Sequence, residues 1–190
     1  MNKNIDLTPK LIEKFGKKTN KIGRYSVSGI YAIFAGWTKP EDYFETKYND
    51  FEGIKRMWSG VINHDFIESL LEKEKCEIKV VYKYKDIEIV GKCDYMPNED
   101  EVIDFKTSDK VMTEMKPWSA HQIRMYCSMF NRKRGLIYQP ILENDKYILK
   151  HIGTVERSDD WFQEQCAKLY KFHEKLIEMQ KSLTSNQLPL

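Results

Sequence analysis

Period-two alternation is strongest in the middle of the chain. EIKVVYKY (77–84) and DIEIVGKCDYM (86–96) alternate apolar and polar positions, as half-buried strands do. Tyr84-Lys85-Asp86 reads as the tight connection between them. PNED (97–100) reads as a second turn and VIDFKT, from Val102, as a third strand, which makes an antiparallel meander. GLIYQPIL (135–142) and KYILKHIGTV (146–155) repeat the pattern as a later strand pair. Around these strands the apolar spacing changes to three and four. YSVSGIYAIFAG (25–36) predicts a short apolar helix capped by Ser28 and ended by Gly36. Thr38-Lys39-Pro40-Glu41-Asp42 carries helix-start signals. Phe44, Tyr48, Phe51, Ile54, Trp58, Val61 or Ile62, and Phe66 then keep the helical period to about Lys73, with a break near Gly53 or Gly60. Residues 118–134 predict a helix closed by Gly135, and a last helix starts near Ser158. The expected fold class is α/β in the mixed (α+β) sense: a central mixed sheet with an antiparallel meander, flanked by helices.

Length and composition narrow this picture. At 190 residues, 41% hydrophobic and 32% charged, the chain is expected to be one globular domain spanning 1–190. Residues 1–24 are Lys-rich and weakly patterned, and are read as a mobile segment or a short helix around Pro9 to Phe15. Lys and Arg number 31 against 29 Asp and Glu, so any contact with a polyanion needs locally concentrated charge. No apolar run approaches the ~20 residues of a membrane span. The polar start MNKNIDLTPKLIEKFGKK lacks the centre of a signal peptide, so the cytoplasm is the expected compartment. Cys76, Cys93, Cys127 and Cys166 form no CxxC pair, which argues against zinc, iron–sulfur or disulfide chemistry.

One spot breaks the apolar pattern. Asp104 and Lys106 interrupt the third strand two positions apart, so they share a face. If the hairpin is symmetric about Glu99, Asp94 lies opposite Asp104. Opposed side chains sit ~4.5–5.5 Å apart at Cβ, so the two carboxylates repel unless something neutralises them. A divalent cation such as Mg²⁺ or Mn²⁺ does so with oxygen ligands. Lys106 would then stand beside the metal, placed to orient a water. Gln122 and Tyr126, four apart, share one helix face. Upstream, Gly60 precedes His64 by one turn.

These features fall in the order Gly60-x-x-x-His64, Gly91-x-x-Asp94, Asp104-x-Lys106, Gln122-x-x-x-Tyr126. In that order the chain resembles the PD-(D/E)XK nuclease superfamily, in its RecB-like exonuclease branch. Ser26-Val27-Ser28-Gly29-Ile30 is similar to the S-x-S-x-I/L stretch that often opens such domains. The resemblance implies a restriction-endonuclease-like core and an Mg²⁺- or Mn²⁺-dependent deoxyribonuclease with one or two ions. It implies His64, Asp94, Asp104 and the Phe105 carbonyl as metal ligands and Lys106 as the catalytic lysine. Gln122 and Tyr126 would brace the site and the nucleic-acid backbone. The cysteine spacing departs from relatives that carry an iron–sulfur cluster, so none is expected. With no helicase segment in the chain, a helicase or recombination partner would be a separate protein.

DNA, single strands included, is the expected substrate, in repair, recombination or phage DNA processing. Lys110, Lys116 and Arg124 are the candidate phosphate contacts, and Trp118, Tyr95 and Trp37 the candidate stacking platforms. The Arg132-Lys133-Arg134 cluster is read either as a nucleic-acid contact or as cations complementing a helix C-terminus. A structure- or sequence-directed endonuclease and a non-catalytic nucleic-acid-binding module are the competing readings. The oligomeric state is left open.

Overall fold

The alternating segments form the centre of the molecule. The computed structural model describes residues 6–108 and 110–185, so residues 1–5 of the Lys-rich N-terminal segment lie outside the described residues. In chain order the elements are α1 (Thr8–Phe15), β1 (Lys17–Lys18), β2 (Arg24–Ser26), α2 (Val27–Phe34), β3 (Lys47–Tyr48), α3 (Phe51–Ser69), β4 (Cys76–Tyr84), β5 (Ile87–Tyr95), β6 (Glu101–Phe105), α4 (Pro117–Met129), β7 (Arg134–Glu143), β8 (Lys146–Glu156) and α5 (Asp159–Ser185). The sheet runs β2-β5-β6-β7-β8, with β4 also on β5. It is mixed: β2 is parallel to β5 and β6 to β7, and the other pairs are antiparallel. Helices flank it, α4 packing on β6 and β7 with α2 and α5 against it, and α3 crossing β5. This is the architecture expected from the pattern.

The hairpin register decides where the site forms. Tyr95 pairs with Ile103, the register of a turn symmetric about Glu99. Asp94 therefore lies across from Asp104. β4 occupies one edge of β5 along its whole length. The other edge is shared: β2 takes Glu88 to Val90 and β6 meets it at Tyr95. The strands fork over the residues between. Helix α4 reaches the sheet closely because Gly91 and Gly135 lie under it. A Cβ on Gly91 would stand 2.7 Å from the Tyr126 ring, and one on Gly135 2.5 Å from Ile123.

Three expected boundaries move. Helix α2 starts after Ser26, not at Ser28, because Tyr25 and Ser26 still pair with β5 and the chain turns directly from strand to helix. The region after Thr38 is not one helix. Asp42 accepts the Lys39 N–H at 2.7 Å and pairs with Lys47 at 2.8 Å, closing a 3₁₀ turn at Pro40–Tyr43. β3 follows, and α3 begins only where Asp50 caps the Gly53 N–H at 2.6 Å. Helix α4 ends at Met129, with Phe130 as its C-cap and Asn131 in the left-handed region (φ 56°), so Gly135 does not close it and lies inside β7. The acidic turn and the basic cluster meet each other: Arg132 with Glu99, Lys133 with Asp100, Arg134 with Glu101. Those cations are engaged within the fold.

Candidate active site

The fork between β5 and β6 holds the chemistry. Asp94, at the end of β5, is 7% exposed, and its Oδ2 accepts the Phe105 backbone N–H at 2.7 Å. The carboxylate thus replaces a ladder partner where β6 leaves β5. Its Oδ1 lies 3.6 Å from His64 Nδ1 on α3. That neighbour raises the pKa of the His64 imidazole above its ordinary value, against the effect of burial.

Asp104 is more deeply enclosed, at 3% exposed. Burial pushes its carboxyl up to about 6, with Lys106 pulling it down and Asp94 pushing it further up. Lys106 Nζ stands 2.7 Å from Oδ2. Gln122 ties the group together. Its amide nitrogen donates to Asp104 Oδ1 at 3.1 Å and to the Tyr126 hydroxyl at 3.3 Å, while its oxygen accepts from Lys106 Nζ at 2.9 Å. The amide orientation is fixed by this network, because only Oε1 can accept from an ammonium. Tyr126 is held neutral, its phenol raised by burial.

Whether these side chains suit a divalent cation can be tested on the geometry. Ligand atoms of His64, Glu68 and Asp94 lie within 4.8 Å of one another. Asp104 Oδ2 is buried and faces the Lys106 ammonium at 2.7 Å, which leaves it a second lone pair to offer. Imidazole and carboxylate oxygens together suit Mn²⁺ and, with waters, Mg²⁺. The residues fit such an ion. Glu68 is an addition to the expected set. It follows His64 by one helical turn, and burial and the charges of Glu77 and Asp94 raise its pKa.

The remaining expected residues divide. Two sets form at the fork: Asp94 with His64 and the Phe105 amide, and Asp104 with Lys106, Gln122 and Tyr126; Asp104 is not among the mutually close ligand atoms of His64, Glu68 and Asp94. Arg124 does not join them: its guanidinium lies 5.2 Å from the Trp161 ring on α5, because two residues from Gln122 turns it to another face of α4. Lys116 pairs with Glu114 at 3.1 Å, and Lys110 is exposed on the loop after β6. Trp118 (46% exposed) and Trp37 (63%) meet edge to face at 6.3 Å, beyond the Gln122 end of α4. One contributor goes unseen in the pattern. Gln139 of β7, 1% exposed, accepts the Met112 N–H at 2.7 Å and donates to the Lys110 carbonyl at 2.9 Å, pinning that loop.

Comparison with known proteins follows the fold. No protein-family model and no curated protein matches the chain. Solved structures do match. An alkaline exonuclease (LHK-Exo) from Laribacter hongkongensis is 12% identical over 94% of this chain and 97% of its own, with a TM-score of 0.58. The same enzyme in complex with dAMP covers 86% and 95% at 12% identity and a TM-score of 0.57. SSO0001 covers 92% and 84% at 18% identity and a TM-score of 0.53. At such identities the likeness concerns the fold, a central mixed sheet flanked by helices. No helix of the described residues is long and apolar enough to cross a membrane.

Proposed function

We propose that the chain is a divalent-metal-dependent deoxyribonuclease of the RecB-like branch of the PD-(D/E)XK superfamily. It hydrolyses phosphodiester bonds at DNA ends or in single strands. The observation that carries this reading is the cluster of His64, Glu68 and Asp94, whose ligand atoms lie within 4.8 Å of one another, with Asp104 on the neighbouring strand paired to a lysine, Lys106, that Gln122 also contacts. The exonuclease neighbours support it at the level of fold.

His64, Asp94, Asp104 and the Phe105 carbonyl would hold Mg²⁺ or Mn²⁺, with Glu68 beside them. A divalent ion there supplies Lewis-acid charge at the scissile phosphate and makes water a better nucleophile. Lys106 brings a fixed positive charge to the same place, where negative charge grows on the phosphate oxygens. Gln122 keeps the ammonium from folding away, and it also keeps Asp104 Oδ1 engaged so that Oδ2 faces the site. Tyr126, neutral and buried, closes the wall behind them without adding charge.

The test uses end-labelled linear DNA, single- and double-stranded, beside closed circles, with Mg²⁺, Mn²⁺ or EDTA. Linear substrate is expected to be degraded from its ends with either ion and to survive in EDTA. Asp104→Asn and Lys106→Met are expected to lower the rate by about 10²–10³ while the chain stays folded. Cutting of closed circles would instead mark an endonuclease. Metal-independent binding without cleavage would refute the catalytic reading.

A further inference from the structure

Gly60 lies inside α3, where alanine makes a better helix. A Cβ built on Gly60 meets no atom within 4 Å, so packing does not demand glycine there. Two hollows have Gly60 in common. One, of about 600 Å³, contains His64 and Asp94. The other, of about 460 Å³, is lined by Arg56, Ser59, Asn63, Thr107, Ser108 and Tyr147 among others. At 100° per residue, Met57, Val61 and His64 fall on one flank of the Gly60 line, and Arg56, Ser59 and Asn63 on the other. The glycine therefore stands on the threshold between the metal-binding hollow and a second, polar one.

We propose that Gly60 is the crossing point of a path for a single nucleic-acid strand. The strand would run from the hollow at His64 and Asp94, over Gly60, into the hollow between α3 and the loop after β6. This rests on the nuclease reading above. The second hollow has the right chemistry for a sugar-phosphate backbone. Arg56 is exposed and makes no ion pair among the described residues. Asn63, Thr107 and Ser108 offer hydrogen-bond donors to phosphate oxygens. Tyr147, 55% exposed and edge-on to Phe66 at 5.9 Å, presents a ring for a base. Gln139 donates to the Ser108 and Lys110 carbonyls at the floor of this hollow. Glycine at the threshold lets the backbone approach the helix closely.

The experiment measures binding of labelled oligothymidylate by fluorescence anisotropy to the Asp104→Asn chain, alone and combined with Gly60→Ala or Gly60→Leu. Thermal melts are run on each. Gly60→Leu is expected to weaken binding by about tenfold or more and Gly60→Ala by less, with neither melting lower than the parent. Should Gly60→Leu misfold, Arg56→Ala combined with Asn63→Ala reads the far side of the path and is expected to weaken binding by about fivefold. Unchanged affinity in a folded Gly60→Leu chain, or in that double variant, overturns the path. If that happens while the unsubstituted chain cleaves DNA, the nuclease reading stands. If the unsubstituted chain neither binds nor cleaves DNA, the nuclease reading fails and the path falls with it.

Discussion

Acidifying the buffer from about pH 7.5 to about pH 5 should loosen Mn²⁺ binding by about tenfold or more. The reason is Asp104. A carboxyl held near 6 is almost fully ionised at the upper pH and about nine-tenths protonated at the lower one. The ion must displace that proton, and one pKa unit corresponds to about 1.4 kcal/mol. His64 adds to the effect, because Asp94 raises its pKa and a protonated imidazole cannot ligate. Isothermal titration of the metal-free chain in buffers of different ionisation enthalpy measures both affinity and protons released. Release from Asp104 should be near zero at about pH 7.5, about half a proton per ion at about pH 6, and close to one at about pH 5. Lys106→Met removes the charge that lowers the Asp104 pKa, so the midpoint should move to higher pH. In the metal-free chain the same group acts on stability with a defined sign. Its folded pKa stands above its unfolded value of 3.8, so it favours the fold below that value and the contribution is lost as pH rises through about 6. Melting temperature over that interval should therefore decline more in the parent than in Asp104→Asn. Mn²⁺ affinity changing by less than about threefold, with no protons released, would refute the reasoning.

Gly91→Ala puts a methyl group 2.7 Å from the buried Tyr126 ring, so overpacking should cost about 1–3 kcal/mol in chemical denaturation and reduce cleavage together with stability. Gln122→Ala frees Lys106 and leaves Asp104 Oδ1 without its donor. The expected result is a drop in kcat of about tenfold or more, KM nearly unchanged, and little recovery when Tyr126→Phe is added in a double-mutant cycle. Glu68→Gln keeps the shape of the cluster and removes one charge, so Mn²⁺ affinity should fall by about tenfold while DNA binding in EDTA stays as it was.

The parts legible in the sequence were those set by local rules. The turn after Tyr95 fixed the hairpin register, and the register placed Asp94 across from Asp104. Gln122 and Tyr126 could be matched because helical spacing is regular. The same spacing shows why Arg124 was a poor candidate: two residues along a helix is the wrong face. Glu68 and Gln139 left no such trace. A glutamate four residues after a histidine is ordinary helix surface until β5 brings Asp94 to it, and a glutamine in a strand gives no sign of the loop it holds. The region after Thr38 misled because Phe44 and Tyr48 keep the helical period. Backbone N–H groups donating to the Asp42 and Asp50 carboxylates break the helix there instead. The apolar stripe of α3 was read correctly as helical, yet Trp58, Ile62 and Phe66 remain 39–50% exposed, so periodicity did not reveal which face the core would take.

Asp94 does two jobs with its two oxygens, one turned toward His64 and the other securing the Phe105 amide where the sheet splits. An alanine here would erase a proposed metal ligand and unfasten a strand at once, and an activity assay alone could not tell the two injuries apart. Inactive controls and genetic tests are better placed at Lys106, whose ammonium can be removed without taking a partner from the backbone. A damaging change at Asp94 will register in cells as lower protein abundance as well as lost chemistry.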